Sequence, residues 1–223
     1  MGWFLKNFNM HKNSFIISLS AILIVYCLGA FAIPLMDVDA AQYASISREM
    51  LEKQSYLQLF DLHADYLDKP PMLFWLSALS MKVFGIYDWA YRIPSLLFLG
   101  IALFSTFHFA KLYYHITTAR LATLMLASSQ AFFLIAHDVR TDTMLVGWVM
   151  AAICAIAYWT IQKKHTYFFI AVIAIAGGMM TKGPIALVVP ILCFVPEWFC
   201  KKDWNNHHCI VIVPNDVGFI PTI

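Results

Sequence analysis

Two residues that can act on a phosphorylated substrate lie in one polar stretch of the chain, residues 36–71. Asp39 begins a run with apolar residues at helical spacing. A carboxylate there can act as a general base on an acceptor hydroxyl if burial or the neighbouring Asp37 tunes it. Spacing also allows a structural role, because an Asp followed three residues later by Gln42 matches a capping box. The two roles are compatible, so both stay open.

Lys69 is the second residue, and two prolines follow it. The residue before a proline favours extended backbone, and a proline suits the first turn of a helix. We therefore expect Lys69 just ahead of a helix that begins at Met72. Its ammonium group can bind the phosphate or diphosphate of a lipid-linked substrate. Alternatively, it makes an ordinary contact with lipid headgroups.

A second group of polar residues lies about a hundred positions further on. Asp138 and Asp142 are four residues apart, and with His137 they offer oxygen and nitrogen ligands for a divalent cation. Arg140 between them favours a salt-bridged loop end instead. Lys182 stands at a predicted turn, as an interfacial anchor or another anion contact. The pattern requires no cofactor, and a divalent metal ion is an option.

The composition indicates an integral membrane protein. The chain is 61% hydrophobic and 13% charged, whereas soluble domains are about 45 to 50% apolar and about 25% charged. Lipid offers the backbone no hydrogen-bond partner, so the spans should be helices of about 20 residues. The expected fold is therefore an all-α polytopic membrane protein. Its net charge of +2 does not indicate nucleic-acid binding.

The apolar runs predict about six spans within a membrane domain at 1–204. They are residues 14–34, 93–110, 121–136, 144–161, 167–180 and 185–199. A cleaved signal peptide is the alternative to the first span, because Ala30-Phe31-Ala32 resembles a cleavage site. Residues 205–223 form a tail with no assigned structure, either an unstructured end or the place where a longer reading frame was interrupted.

The distribution of charge orients these spans. Basic residues cluster in the joint 111–120, at Lys163-Lys164 and at Lys201-Lys202, so these segments and both termini are expected inside. The first outer loop is then 35–92. Within it, residues 40–53 predict an amphipathic helix on the membrane surface. Residues 72–87 are short for a span, so we expect an interfacial or partly re-entrant helix there. The alternative, a true span, would place Lys111 and Arg120 outside.

Several motifs in register resemble the bacterial branch of the dolichyl-phosphate-mannose protein mannosyltransferase family, and most of all the aminoarabinose transferases that modify lipid A. They cover roughly residues 36–190, which corresponds to the N-terminal half of such an enzyme. The motifs are Asp39-Ala40-Ala41-Gln42-Tyr43-Ala44, Tyr66-Leu67-Asp68-Lys69-Pro70-Pro71, Trp89-Ala90-Tyr91-Arg92-Ile93-Pro94, Arg140-Thr141-Asp142-Thr143 and Thr181-Lys182-Gly183-Pro184.

The resemblance implies a glycosyltransferase of the GT-C fold in the bacterial inner membrane, with juxtamembrane helices in its first periplasmic loop. It implies a polyprenyl-phosphate sugar donor, a lipid or glycan acceptor and an active face on the periplasmic side. Asp39 and Asp142 would be catalytic. Lys69 would contact the donor phosphate, and Gln42, Tyr43 and Lys182 would also bind substrate.

Two departures from the family pattern bear on these expectations. The aminoarabinose transferases have Glu and Arg at the positions of Ala40 and Gln42, so the particular sugar and acceptor are not implied. Family members are also longer than this chain. Two alternatives to an active transferase are a non-catalytic membrane protein that binds polyprenyl phosphate or lipid headgroups, and an inactive truncated enzyme. Only the transferase would need Asp39.

Overall fold

The computed structural model describes residues 11–35, 38–62 and 64–202, and the side chains up to residue 195. Asp37 and the predicted tail at 205–223 lie outside this part. The elements are, in order, α1 (Lys12–Ala32), α2 (Val38–Lys53), β1 (Phe60–Asp61), β2 (Ala64–Asp65), α3 (Met72–Phe84), α4 (Asp88–Tyr113), α5 (Ile116–Ala127), α6 (Gln130–His137), α7 (Thr141–Gln162), α8 (His165–Lys182) and α9 (Ile185–Lys202).

Four of the described helices, α1, α4, α7 and α8, are long and apolar enough to cross a membrane. The consecutive helices α5 and α6 are bent by 53° at their junction and together make a fifth candidate span. Most of the predicted spans therefore correspond to helices of suitable length. The apolar part of α9, Ile185–Val195, is shorter, and a sixth span remains a prediction.

The span predicted at 121–136 corresponds to a bent pair of helices, because the helix breaks at Ser128 and Ser129. Ser129 has extended backbone, with φ −64° and ψ 120°, which interrupts the ladder of helical hydrogen bonds. The Ser128 hydroxyl donates to the carbonyl oxygen of Met125 at 3.4 Å. Serine side chains that bond to nearby backbone in this way compete with the helix.

The first outer loop contains the two helices that the sequence predicts. In α2, the buried residues are Ala40, Tyr43, Ile46, Ser47 and Met50. The amphipathic spacing predicted the face from Ala40, Tyr43, Ala44, Met50 and Leu51, and of these Ala44 and Leu51 are only partly buried. Helix α3 has 13 residues and is about 20 Å long, too short to cross a core of about 30 Å. It ends at Gly85, whose φ of +93° favours glycine. Sequence patterns did not predict the β1–β2 hairpin that follows α2.

The helices α2 and α3 pack on the first turns of α4 and α7 and form the outer core. This cluster is built from buried apolar and aromatic side chains: Tyr43, Ile46, Met50, Leu59, Tyr66, Leu73, Phe74, Ala78, Met81, Tyr91, Phe98, Val139 and Met144. Because it joins the loop helices to the spans, it holds the polar residues of both against one end of the bundle.

Close contact between spans depends on glycine in α7 and α8. A Cβ at Gly147 would lie 2.8 Å from the carbonyl oxygen of Phe98, and a Cβ at Gly177 would lie 2.6 Å from the Trp148 ring. Small residues allow helix backbones to approach closely in membranes. The antiparallel helices α7 and α8 therefore pack tightly, and this brings the first turn of α7 beside the last turn of α8.

Candidate active site

An ion pair joins the first turn of α7 to the last turn of α8. Asp142 lies in the first turn of α7, and Lys182 is the last residue of α8. The Lys182 ammonium group donates to Asp142 Oδ1, and the two side chains are 34% and 40% exposed. Each charge suits its helix end, because acids are favourable near N-termini and bases near C-termini. The sequence identified both residues separately, but it did not predict that they pair.

Asp39 lies in the first turn of α2, and its residue is exposed. One turn further on, Tyr43 is 7% exposed and packs in the outer core. Burial raises the pKa of the Tyr43 phenol, and the nearby Asp39 carboxylate raises it further. Asp142 and Arg140 also lie within electrostatic reach of this phenol. Both predicted catalytic carboxylates thus act electrostatically on the Tyr43 phenol.

Two aromatic residues that the site prediction omitted hold Tyr43 in place. A side-chain hydrogen bond links Tyr43 to Tyr66, and burial raises the pKa of Tyr66. Phe74 is fully buried, and its ring makes edge contacts with both tyrosines, each with ring centroids 5.7 Å apart. Tyr66 lies in the same short motif as Lys69, which was the available signal. Phe74 follows the two prolines and looks like an ordinary core residue.

The predicted capping box between Asp39 and Gln42 is wrong. Helix α2 begins at Val38, so Asp39 is inside the first turn rather than at the N-cap position. The Gln42 side chain donates instead to Asp61 Oδ2 at 2.5 Å. This bond ties α2 to the β1–β2 hairpin because Asp61 ends the first strand.

Lys69 lies where the two prolines predicted it, immediately ahead of α3. The helix begins at Met72, and Pro71 is its N-cap residue. Lys69 is half-buried. Within the described ranges, the structure shows no ion pair or hydrogen bond to its side chain. The stiff prolines fix its backbone while its ammonium group stays available for an anion.

The structure does not bring the three metal-ligand candidates together. His137 is 3% exposed, and its two ring nitrogens face the carbonyl oxygens of Phe133 at 2.7 Å and Tyr26 at 3.0 Å. Asp138 is the C-cap residue of α6, and Asp142 is paired with Lys182. Among the described residues, no three His, Cys, Asp or Glu side chains form a group that could hold a metal ion. His137 instead connects α6 to α1.

Comparison with known proteins places this arrangement in a family. Residues 68–211 match the family model described as dolichyl-phosphate-mannose-protein mannosyltransferase. This chain belongs to that family. The resemblance inferred from the motifs is therefore confirmed, and the matched segment contains Lys69, Asp142 and Lys182.

Relatives with a described activity include the undecaprenyl phosphate-alpha-4-amino-4-deoxy-L-arabinose arabinosyl transferases of Yersinia pestis (strain Pestoides F) and Photorhabdus laumondii. The chain is 29% identical to the first over 179 residues, which is 78% of this chain and 32% of the relative. It is 29% identical to the second over 174 residues, which is 75% of this chain and 31% of that relative. The chain thus spans about a third of the length of these relatives, less than the half that the sequence suggested.

Two crystal structures of ArnT from Cupriavidus metallidurans have the same fold. The apo form matches with a TM-score of 0.77 and 20% identity, over 85% of this chain and 36% of that one. The form bound to undecaprenyl phosphate matches with a TM-score of 0.77 and 19% identity, over 87% of this chain and 37% of that one. The predicted fold class, a polytopic helical membrane protein of the GT-C type, is confirmed.

Proposed function

We propose that this protein takes part in the transfer of a sugar from a polyprenyl-phosphate donor to a hydroxyl or phosphate group of an envelope lipid, glycan or protein. The observation that carries the proposal is the outer core, which packs Tyr43, one turn after Asp39, in the same cluster as Met144, two residues after Asp142. The names of the relatives support the donor class, since each is a transferase that acts with undecaprenyl phosphate-linked sugar. The proposed active face is periplasmic, on the side of the first outer loop.

The proposed reaction is a direct displacement at the anomeric carbon of the sugar. The acceptor oxygen attacks that carbon, Asp39 accepts the proton from the acceptor hydroxyl, and the bond between the anomeric carbon and the phosphate oxygen breaks. The leaving group is polyprenyl phosphate, and Lys69 stabilises the negative charge that grows on it. Because the leaving group is already a phosphate, these steps need no metal ion.

Asp142 and Lys182 act as a pair in this proposal. The lysine ammonium group orients the carboxylate of Asp142 beside Tyr43, where the carboxylate can bind a hydroxyl group of the acceptor or of the sugar. Lys182 is about one-third exposed, so it can also contact the donor phosphate. Gln42 is already bound to Asp61, and its contribution to substrate binding is through the position of the hairpin.

The donor site is tested by binding undecaprenyl phosphate to the protein in lipid nanodiscs. Lys69→Met removes a charge-assisted hydrogen bond worth about 1.5 to 3 kcal/mol, so we expect affinity to fall roughly ten- to a hundredfold. Lys82→Met is the matched control, because Lys82 is exposed near the end of α3. Equal affinities for the two variants would refute a phosphate site at Lys69.

Transfer is tested separately from binding with Asp39→Asn. We expect this variant to bind undecaprenyl phosphate as the parent does and to transfer no sugar, because it lacks the base. If binding is intact while neither the parent nor the variant transfers sugar, the protein is a lipid-phosphate binding protein. If the variant transfers sugar at the parental rate, the role of Asp39 is wrong.

A further inference from the structure

Arg92 is a fully buried cation in the first turns of α4. Its residue is 1% exposed, and it is the largest of the fully buried side chains. The guanidinium group donates three hydrogen bonds to backbone carbonyl oxygens: Nε to His137 at 2.9 Å, and Nη1 to Ala30 at 2.8 Å and to Ile33 at 2.5 Å. Asp88 and Asp138 lie within electrostatic reach. Nε and Nη1 are thus satisfied, whereas Nη2 is buried and has no hydrogen-bond partner among the described residues.

The three carbonyl groups belong to the ends of two different helices. Ala30 and Ile33 are at the C-terminal end of α1, and His137 is the last residue of α6. The last carbonyls of a helix have no partner within it, and they carry partial negative charge. One guanidinium group therefore satisfies orphan acceptors from both helices at once. A lysine ammonium group is a single point charge and lacks the planar set of N–H donors by which a guanidinium group reaches several acceptors at once.

The backbone that follows α6 is strained, which makes its anchoring important. Val139 has a φ of +51° and is completely buried. A β-branched residue in the left-handed region is rare, and it costs about 1 to 3 kcal/mol unless its surroundings enforce it. The Arg140 amide donates to the carbonyl oxygen of Ile135 at 3.2 Å. The turn into α7 is thus held between the Arg92 contact on one side and the outer core on the other.

Both helix ends that Arg92 contacts lie close in sequence to a carboxylate of the proposed site. Asp39 follows Ile33 by six residues, and Asp142 follows His137 by five. We propose that Arg92 is a positioning residue, which ties the outer ends of α1 and α6 and thereby sets the separation of Asp39 and Asp142. The inference rests on the proposed function for its catalytic consequence. The three hydrogen bonds by which Arg92 holds the ends of α1 and α6 are called the clamp below. The clamp can be tested without any measurement of sugar transfer.

The structural test compares hydrogen exchange in lipid nanodiscs for the parent, Arg92→Lys and a matched Arg48→Lys. Arg48 is on α2 and bonds to Glu52 on the same helix, with a side chain 60% exposed. We expect Arg92→Lys to speed exchange about tenfold or more in residues 138–142, 33–35 and 38–40. The other helices should keep their protection. Arg92→Gln is the second variant if the lysine variant does not insert.

The kinetic test separates positioning from simple loss of folded protein. Transfer is measured per binding-competent molecule, counted by titration with undecaprenyl phosphate. We expect Arg92→Lys to lower kcat about tenfold while the KM for the donor stays within about twofold, because Lys69 is unaffected. A merely structural residue would reduce the number of competent molecules and leave kcat unchanged.

The outcomes distinguish the clamp from the proposed function. Unchanged exchange in both segments, or equal effects of the Arg92 and Arg48 variants, overturns the clamp. Changed exchange with unchanged kcat also overturns its positioning role. If the parent transfers no sugar at all, the proposed function fails, and the exchange data alone then decide whether Arg92 holds the two segments.

Discussion

Phe74 should be the residue on which the attachment of α2 to the bundle depends most. It is fully buried, and its ring contacts both Tyr43 and Tyr66 edge-on. Truncation of a buried Phe to Ala costs about 3 to 5 kcal/mol, and this range includes the two ring contacts. A cost of about 4 kcal/mol raises the equilibrium constant for local opening roughly a thousandfold.

The same helix offers a matched control. Phe84 lies at the last turn of α3, is 49% exposed, and has its ring centroid 5.8 Å from that of Trp89. Phe84→Ala should therefore change the opening constant by a factor of about five or less, since exposed substitutions rarely exceed about 1 kcal/mol. Hydrogen exchange of the α2 amides in nanodiscs measures both constants.

The Phe74→Ala variant should also lose transfer, because Tyr43 and Asp39 move with α2. Undecaprenyl phosphate binding should weaken as well, since Lys69 directly precedes α3. Equal protection of α2 in the two alanine variants would refute the reasoning. It would mean that the outer core does not hold the loop helices against the spans.

Two further predictions concern the ends of the spans. Asp142→Asn should lower the free energy of unfolding by no more than about 1 kcal/mol, because both side chains of its ion pair with Lys182 are more than one-third exposed. The rate of sugar transfer should fall at least about tenfold. A large loss of stability with a normal rate of transfer would contradict this prediction. Gly29→Ala should destabilise the protein by about 1 to 3 kcal/mol, because its Cβ would lie 2.5 Å from His137 Nε2. Gly100→Ala is the control, because a Cβ there would lie more than 4 Å from the side chains and backbone of other segments. Equal shifts in melting temperature for the two variants would contradict the close packing of α1 and α6.

The sequence predicted the elements that depend on local pattern. Apolar length predicted α1, α4, α7 and α8, and the short run with Lys82 predicted α3 as a helix that does not span. The amphipathic spacing around Tyr43 predicted the buried face of α2. These predictions were possible because hydropathy and periodicity are properties of a single segment.

Features that depend on contacts between distant segments were not predictable in the same way. The pairing of Asp142 with Lys182 requires the antiparallel packing of two helices, and no spacing rule connects residues 40 positions apart. The role of Arg92 was also missed, although an Arg at the start of an apolar span is itself a signal of buried polar contacts. His137 was one option for a metal ligand, and the sequence could not show that its partners are the backbone carbonyls of Phe133 and Tyr26.

The position of Asp39 shows both the value and the limit of local motifs. The motif placed it at the start of a helix, and the structure agrees to within one or two residues. The capping role failed because Gln42 has a competing partner in the hairpin. A hairpin of two-residue strands carries little periodic signal, so neither the strands nor the bond to Asp61 could be foreseen.

The most direct test of the proposed transferase is mass spectrometry of lipid A and other envelope glycans from three strains. One strain expresses the chain, one lacks it, and one expresses Asp39→Asn at an equal level in the membrane. A transferase that uses Asp39 as its base should produce a sugar-sized mass increment on one acceptor, and this increment should require both the chain and Asp39. An increment that persists with Asp39→Asn, or identical spectra from all three strains, would contradict it.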